Sequence, residues 1–290
     1  MQITTLFPSQ CILAEGPLWH KERNSCFWVD IERGILYEYG WDNRELNTWS
    51  FDYRVTLVIQ ANNNEVILAL DRSIARFDLK TEKLEWLVDV EHQLPNNRCN
   101  DGACDSQGRI WVGTMALDIQ QGAASLYCIE NDRSVVKKIS DITISNGLAW
   151  SADDRTFYYI DTPTKMVQAY HYDSESGEIG FDRTAIEIPE EMGSPDGMAI
   201  DSEGMLWIAH YGGFGVCRWN PETGKLMEKI EIPVPNVTSC AFVGENLDKL
   251  LVTTASENLS EEELRKYPES GNVFLAEMKV KGRPVYIYPF

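Results

Sequence analysis

Four places in the chain set an acid or an amide directly before a glycine at the head of a short apolar run: Glu15-Gly16, Asp101-Gly102, Asn146-Gly147 and Asp196-Gly197. Glu15, Asn146 and Asp196 carry oxygen donors, two of them anionic and one neutral. Brought to one point, such a set suits a hard divalent cation and leaves coordination positions for water and substrate. Asp-Gly and Asn-Gly are also ordinary turn dipeptides. The chemistry therefore depends on whether these residues share one phase of a repeating element.

The stretch that displays that element best is PDGMAIDSEGMLWIA, residues 195 to 209. It reads as an acid, a glycine, a short strand ending in a second acid, a turn closed by Gly204, and a strand carrying an aromatic. Related parts follow the other openings as PLWHKERNSCFWVD, ACDSQGRIWVGT and LAWSADDRTFYYID. The copies lie roughly 45 to 50 residues apart, or twice that between the first two, which is a blade-sized period. Runs of Val, Ile, Leu and aromatics broken by Asn, Gly and Asp continue the pattern. A second unit is legible in VTLVIQA, VILAL, IARFDL and LEWLVD, and a sixth in AFVGE, LLVTTA and NVFLAEMKV.

Six units predict an all-β chain: one six-bladed β-propeller domain over residues 1–290, each blade a four-stranded antiparallel sheet around a central channel. The first strand of each blade lines the channel, so residues at equal phase form a ring at one height. Glu15, Asn146 and Asp196 fall in that ring, while the second and sixth units carry no acid or amide before glycine. The terminal segments ITTLF and PVYIYPF are expected to pair with each other in one blade and so close the ring. One short helix is expected between Ser260 and Tyr267, opened by a capping box of Ser260 with Glu263 and stopped at Pro268.

A formal charge of −19 disfavours nucleic acid and anionic lipid as partners. No stretch approaches the roughly 18 apolar residues of a membrane span, and MQITTLFPSQ lacks the basic start and apolar run of a signal peptide. These features predict a cytoplasmic protein, monomeric or weakly dimeric, acting on a small molecule. The seven cysteines have no CxxC spacing and read as buried thiols. The four histidines suggest no zinc triad, no GxSxG occurs for a serine nucleophile, and GGFG is not a dinucleotide loop.

Taken in order, AEGPLW, NNRCNDGACD with GTM after it, ISNGLAWS, YYID and PDGMAIDSEGMLWIA resemble the family of regucalcin (senescence marker protein) and bacterial gluconolactonases, over nearly the whole chain. The resemblance implies a six-bladed propeller with one divalent cation (calcium, zinc, manganese, magnesium or ferrous iron) and hydrolysis of sugar lactones to aldonic acids. It implies Glu15, Asn146 and Asp196 as metal ligands, and Arg98, Asn100 and, less closely matched, Asp118 as substrate contacts. Phase alone nominates Asp101, one residue beyond Asn100. Asp196 is the expected catalytic residue, accepting a proton from water. His210 to Gly215 is closer to the bacterial than the animal pattern, and Tyr211 there is either a hydroxyl contact or a packed aromatic. Two other functions fit the same motifs: a calcium-binding regulator, which needs neither Arg98 nor Asn100, and a propeller scaffold, which needs none of the ligands.

Overall fold

In the computed structural model, which describes residues 3–289, six four-stranded antiparallel sheets follow one another in chain order. Their innermost strands are Ala14–His20, Val55–Gln60, Asn97–Cys104, Ser145–Trp150, Ser194–Ile200 and Val237–Val243. Each contacts the next, and the sixth contacts the first, so the ring is closed. This is the expected six-bladed propeller. Inner strands are largely buried, whereas an outermost strand such as Lys225–Glu231 is mostly exposed. Apolar side chains between adjacent blades form the core, among them Trp28, Trp111 and Trp207, which are fully buried.

Closure differs from the expected pairing of the two termini. The sixth blade runs Val237–Val243, Lys249–Thr254, Val273–Glu277 and then Ile3–Phe7. Its outer strand is indeed ITTLF, but the partner is Val273–Glu277. PVYIYPF forms no strand among its described residues; it crosses the bottom of the channel instead. Arg283 Nη1 bonds Trp150 O at 3.1 Å, Tyr286 Oη bonds Asp154 Oδ1 at 2.9 Å, and the Tyr288 N–H reaches Gln60 O at 2.9 Å. Pro284 and Pro289 have no N–H for a ladder, and the C-terminal segment spends its polar groups on two blades, the second and the fourth.

The α-helix is Glu261–Lys266, with the full capping box between Ser260 and Glu263. Three single 3-10 turns, Lys21–Arg23, Thr162–Thr164 and Glu190–Met192, add to it. All seven cysteines are buried free thiols.

The repeated acids divide into two kinds. Asp105 and Asp201, fully buried, each close the turn after an inner strand: Oδ1 accepts two backbone N–H groups, and Oδ2 accepts the indole N–H of Trp111 or Trp207 and the guanidinium of Arg109 or Arg218. Asp30 and Asp161, ending FWVD and YYID, accept N–H groups of Ile12 and Leu13 and of Thr143 and Ile144. These carboxylates fix the backbone just before Glu15 and Asn146, and so set where those two side chains point.

Candidate metal centre and channel mouth

Every inner strand slips register at the same level. Pairing with the second strand is interrupted between Glu15 and Leu18, Val55 and Leu57, Cys99 and Gly102, Asn146 and Leu148, Pro195 and Met198, and Val237 and Ser239. A bulge breaks the in-and-out alternation and re-aims a side chain. Thr56, Asn100 with Asp101, Asp196 and Thr238 lie inside these interruptions, and Glu15 and Asn146 stand at their edge as the last paired residues. The two units without an acid or amide thus carry threonine. Glycine after Asn146 and Asp196 is required by the close approach of inner strands: a Cβ on Gly147 would sit 2.9 Å from Asp196 O, and one on Gly197 would meet the Ser239 side chain.

Asn146 and Asp196 are buried and Glu15 is half-buried. Glu15 accepts the Gly16 N–H at 3.1 Å, and Asp196 is held by the Gly197 N–H. Burial, followed by repulsion from Asp101, pushes the Glu15 carboxyl up to about 8. Burial, followed by repulsion from Glu15 and Asp101, raises Asp196 well above the ordinary carboxylate range. The cation that both feel is Arg98. Buried carboxylates that repel each other gain from a cation placed between them.

The amide of Asn146 has a determined orientation. Thr162 Oγ1 donates its proton to Pro195 O at 2.8 Å, so it can only accept from Asn146 Nδ2, also at 2.8 Å. Asn146 Oδ1 is thereby turned inward, where Asn100 Nδ2 donates to it at 3.0 Å. The second Asn100 proton goes to Ser145 O at 2.8 Å, and Asn100 Oδ1 accepts from Arg98 Nη1 at 2.6 Å. A chain of hydrogen bonds therefore runs from Arg98 through Asn100, Asn146 and Thr162 to the residue before Asp196. Both donors of Asn100 are spent, leaving one acceptor lone pair for a ligand.

Glu15, Asn146 and Asp196 fit a hard cation by donor type: all oxygen, two anionic, one amide, without histidine or thiolate. Among the described residues no three His, Cys, Asp or Glu side chains gather in metal-binding geometry. Asp101 is near enough to Glu15 and Asp196 to repel both. It also lines a cavity of about 170 Å3 further along the channel, walled by Leu18, Leu57, Leu148, Met198 and Phe242 and floored by Arg283 to Tyr286. Burial there pushes Asp101 up to about 6.

Arg98 is buried, with Nη1 on Cys99 O at 2.9 Å and on Asn100. Asp118 is exposed on the loop after Ile110–Ala116, and Asn96 Nδ2 donates to it at 2.9 Å. The Tyr211 hydroxyl donates to Glu257 O at 3.2 Å and accepts from Asn258 Nδ2 at 3.1 Å, and its ring packs on the core between the first two blades. Tyr211 is thus a packed aromatic holding up the Glu257 loop. Glu32, Arg54, Thr162 and Glu257 were not singled out from the sequence. Arg54 was within reach of the same phase logic, since it lies two residues before Thr56 as Arg98 lies two before Asn100.

Comparison with known proteins adds four findings. The family model described as SMP-30/Gluconolactonase/LRE-like region matches residues 13–256. Regucalcin from Gallus gallus is 37% identical over 280 residues, covering 94% of each chain. A Bacillus subtilis protein named "Putative sugar lactone lactonase YvrE" is 34% identical over 274 residues, again covering 94% of each. Among solved structures, a calcium-binding protein, regucalcin, from Agrobacterium tumefaciens has a TM-score of 0.95 at 28% identity and covers 99% of this chain and 97% of its own.

Proposed function

The chain belongs to the SMP-30/gluconolactonase/LRE-like family, and from that premise we propose that it is a metal-dependent lactonase that opens sugar lactones to aldonic acids. The observation that carries this reading is the ring itself: two carboxylates and an inward-turned amide oxygen stand beside one guanidinium, Arg98, which no carboxylate among the described residues neutralises by direct contact. Glu15, Asn146 and Asp196 would hold the cation. When bound, a divalent cation supplies Lewis acidity toward an ester carbonyl and toward water.

The protein side of the reaction falls to few groups. Asp196 takes a proton from the attacking water as its oxygen bonds to the carbonyl carbon. The same carboxyl returns that proton to the ring oxygen as the acyl C–O bond breaks, so lactone and water become the hydroxy acid. Arg98 offers its Nε and Nη2 donors to substrate hydroxyls, while Asn100 fixes the guanidinium through Nη1 and fixes Asn146 through Nδ2. An interaction scaffold has no use for this arrangement. A calcium-binding regulator, as the names of the regucalcin relatives suggest, would use the three ligands but not the Arg98 to Asn100 link.

Acid release from a panel of five- and six-membered aldonolactones, followed by titration with and without a chelator, tests the reading. Turnover on at least one lactone that disappears with chelation and returns with added cation is expected. No cation-dependent turnover on any of them overturns it in favour of the regulator, and elemental analysis of gently purified protein then identifies the ion.

A further inference from the structure

Two residues above the ring, the inner strands meet a second level of side chains, and on it lie Arg54 in the second blade and Arg98 in the third. Arg54 is satisfied: its Nε lies 3.3 Å from both Glu32 oxygens, and its Nη1 3.6 Å from Asp71 Oδ1. Arg98 is 5% exposed and makes no ion pair among the described residues; burial disfavours its charge, which Glu32 and then Glu257 offset in part. Glu257 is half-buried, and its carboxylate makes no hydrogen bond or ion pair among the described residues. Burial and the neighbouring Glu32 both disfavour its charge, which Arg98 partly offsets.

The backbone of Glu257 is held from three blades. Its N–H donates to Ile12 O at 2.9 Å, and its carbonyl accepts from Tyr211 Oη at 3.2 Å and Asn236 Nδ2 at 2.9 Å. A carboxylate on so firmly held a backbone, partly desolvated and left without a partner, is an acceptor in waiting. Arg98 and Glu257 thus lie near enough for each to feel the other's charge, with Glu32 beside both, and the Glu257 carboxylate and the Nε and Nη2 of Arg98 make no hydrogen bond among the described residues.

We propose that Glu257 is a specificity-determining residue of the lactonase site: it accepts hydroxyl protons from the polyol end of a neutral lactone that Arg98 holds from the other side, and it turns away lactones carrying a phosphate or a second carboxylate. The assignment rests on the lactonase reading. It commits the site to neutral polyhydroxy lactones, because an anionic tail beside Glu257 and Glu32 meets like charge.

The test measures steady-state kinetics of the metal-loaded protein on D-glucono-1,5-lactone and on its 6-phosphate, for wild type, Glu257→Ala and Glu257→Gln, together with calorimetric binding of the neutral cyclic polyol 1,5-anhydro-D-glucitol. Loss of a hydroxyl bond to a charged acceptor predicts a KM on the neutral lactone, and a dissociation constant for the polyol, raised about tenfold in Glu257→Ala, with kcat within about twofold. Glu257→Gln keeps an acceptor, so it restores both values to within about threefold while raising kcat/KM on the phosphorylated lactone about tenfold. Equal kinetics of all three proteins on both lactones overturns the assignment, as does a wild type that prefers the phosphate. If no lactone is turned over, the lactonase reading falls, and polyol binding still decides Glu257: a constant unchanged in Glu257→Ala removes it. Unaltered circular dichroism and melting temperature of each variant exclude a folding defect.

Discussion

Asn100 Nδ2 donates to Asn146 Oδ1 at 3.0 Å across the seam between the third and fourth blades. One side chain thereby links the guanidinium of Arg98 to the amide proposed as a metal ligand. Asn100→Ala removes that link and leaves Asn146 held by Thr162 alone. Supporting groups of this kind typically matter about 10- to 100-fold for metal affinity. A calorimetric titration of the variant with calcium or manganese is expected to show such a loss with the fold intact. Undiminished affinity would mean that Thr162 suffices.

Asp196 is proposed both to bind the cation and to carry the proton. Asp196→Ala deletes both roles and is expected to lower kcat/KM by at least about a thousandfold, a loss of roughly 4 kcal/mol of transition-state stabilisation. The assay is run in metal-replete buffer, with metal content measured in parallel. Near-normal turnover there removes Asp196 from the mechanism.

Asp101 titrates in the cavity beyond the ring, pushed up to about 6 by burial. A carboxyl whose folded-state pKa exceeds its unfolded value binds more protons when folded. Metal-free protein therefore loses stability as pH rises from about 4 to 6, and the penalty persists above that range. Asp101→Asn relieves it. Under chelation the variant is expected to melt above wild type at pH 7, by roughly 3 °C for each kcal/mol relieved, and to match it near pH 4. Equal melting temperatures at pH 7 would place the Asp101 carboxylate in water.

The repeat made most of the architecture legible before any coordinates. The glycine after each opening, the acid ending FWVD or YYID and the turn closed by Gly204 recur in order, and each has a local cause that survives in the fold. Much of the site was less visible. Thr56 and Thr238 occupy the ring in the blades that lack an acid or amide, and threonine in a strand is too common to mark a position. Thr162 acts through the single proton of its hydroxyl, a constraint that exists only once Pro195 is beside it. Glu257 comes from a loop after the last inner blade strands and reaches the mouth because the ring closes on itself. The C-terminal segment was misassigned as a strand because apolar alternation in PVYIYPF reads equally well for a chain laid across the ends of other strands.

His210 is fully buried, stacked on Trp219 at 6.2 Å between ring centroids, with Nδ1 2.9 Å from Met192 O and Nε2 without a hydrogen-bond partner among the described residues. Desolvation lowers its pKa to about 4. A histidine whose folded pKa lies below its unfolded value contributes stability above pH 6.5 that is lost as pH falls toward 4. His210→Gln is expected to flatten the decline of melting temperature across that window, whatever its effect at pH 7. A slope identical to wild type would assign the acid sensitivity to other groups.

Cys104 and Cys240 line the cavity that Arg283 to Tyr286 floor, and burial pushes both thiols up. The floor is held by side-chain and backbone bonds to Trp150, Asp154 and Gln60, not by a strand ladder. Bonds of that kind release locally without unfolding the blades, which keep their own four-stranded pairing. Removing residues 283–290 is therefore expected to leave the circular dichroism of the propeller in place and open the cavity from below. Methyl methanethiosulfonate, scored by mass spectrometry under native conditions, should then label Cys240 and Cys104 at least about tenfold faster than in the full chain, since opening the cavity admits the reagent and also the water that favours each thiolate. Tyr286→Phe, which loses only the Asp154 bond, should lie between the two. Labelling no faster in the shortened chain would show that the six inner strands seal the cavity by themselves.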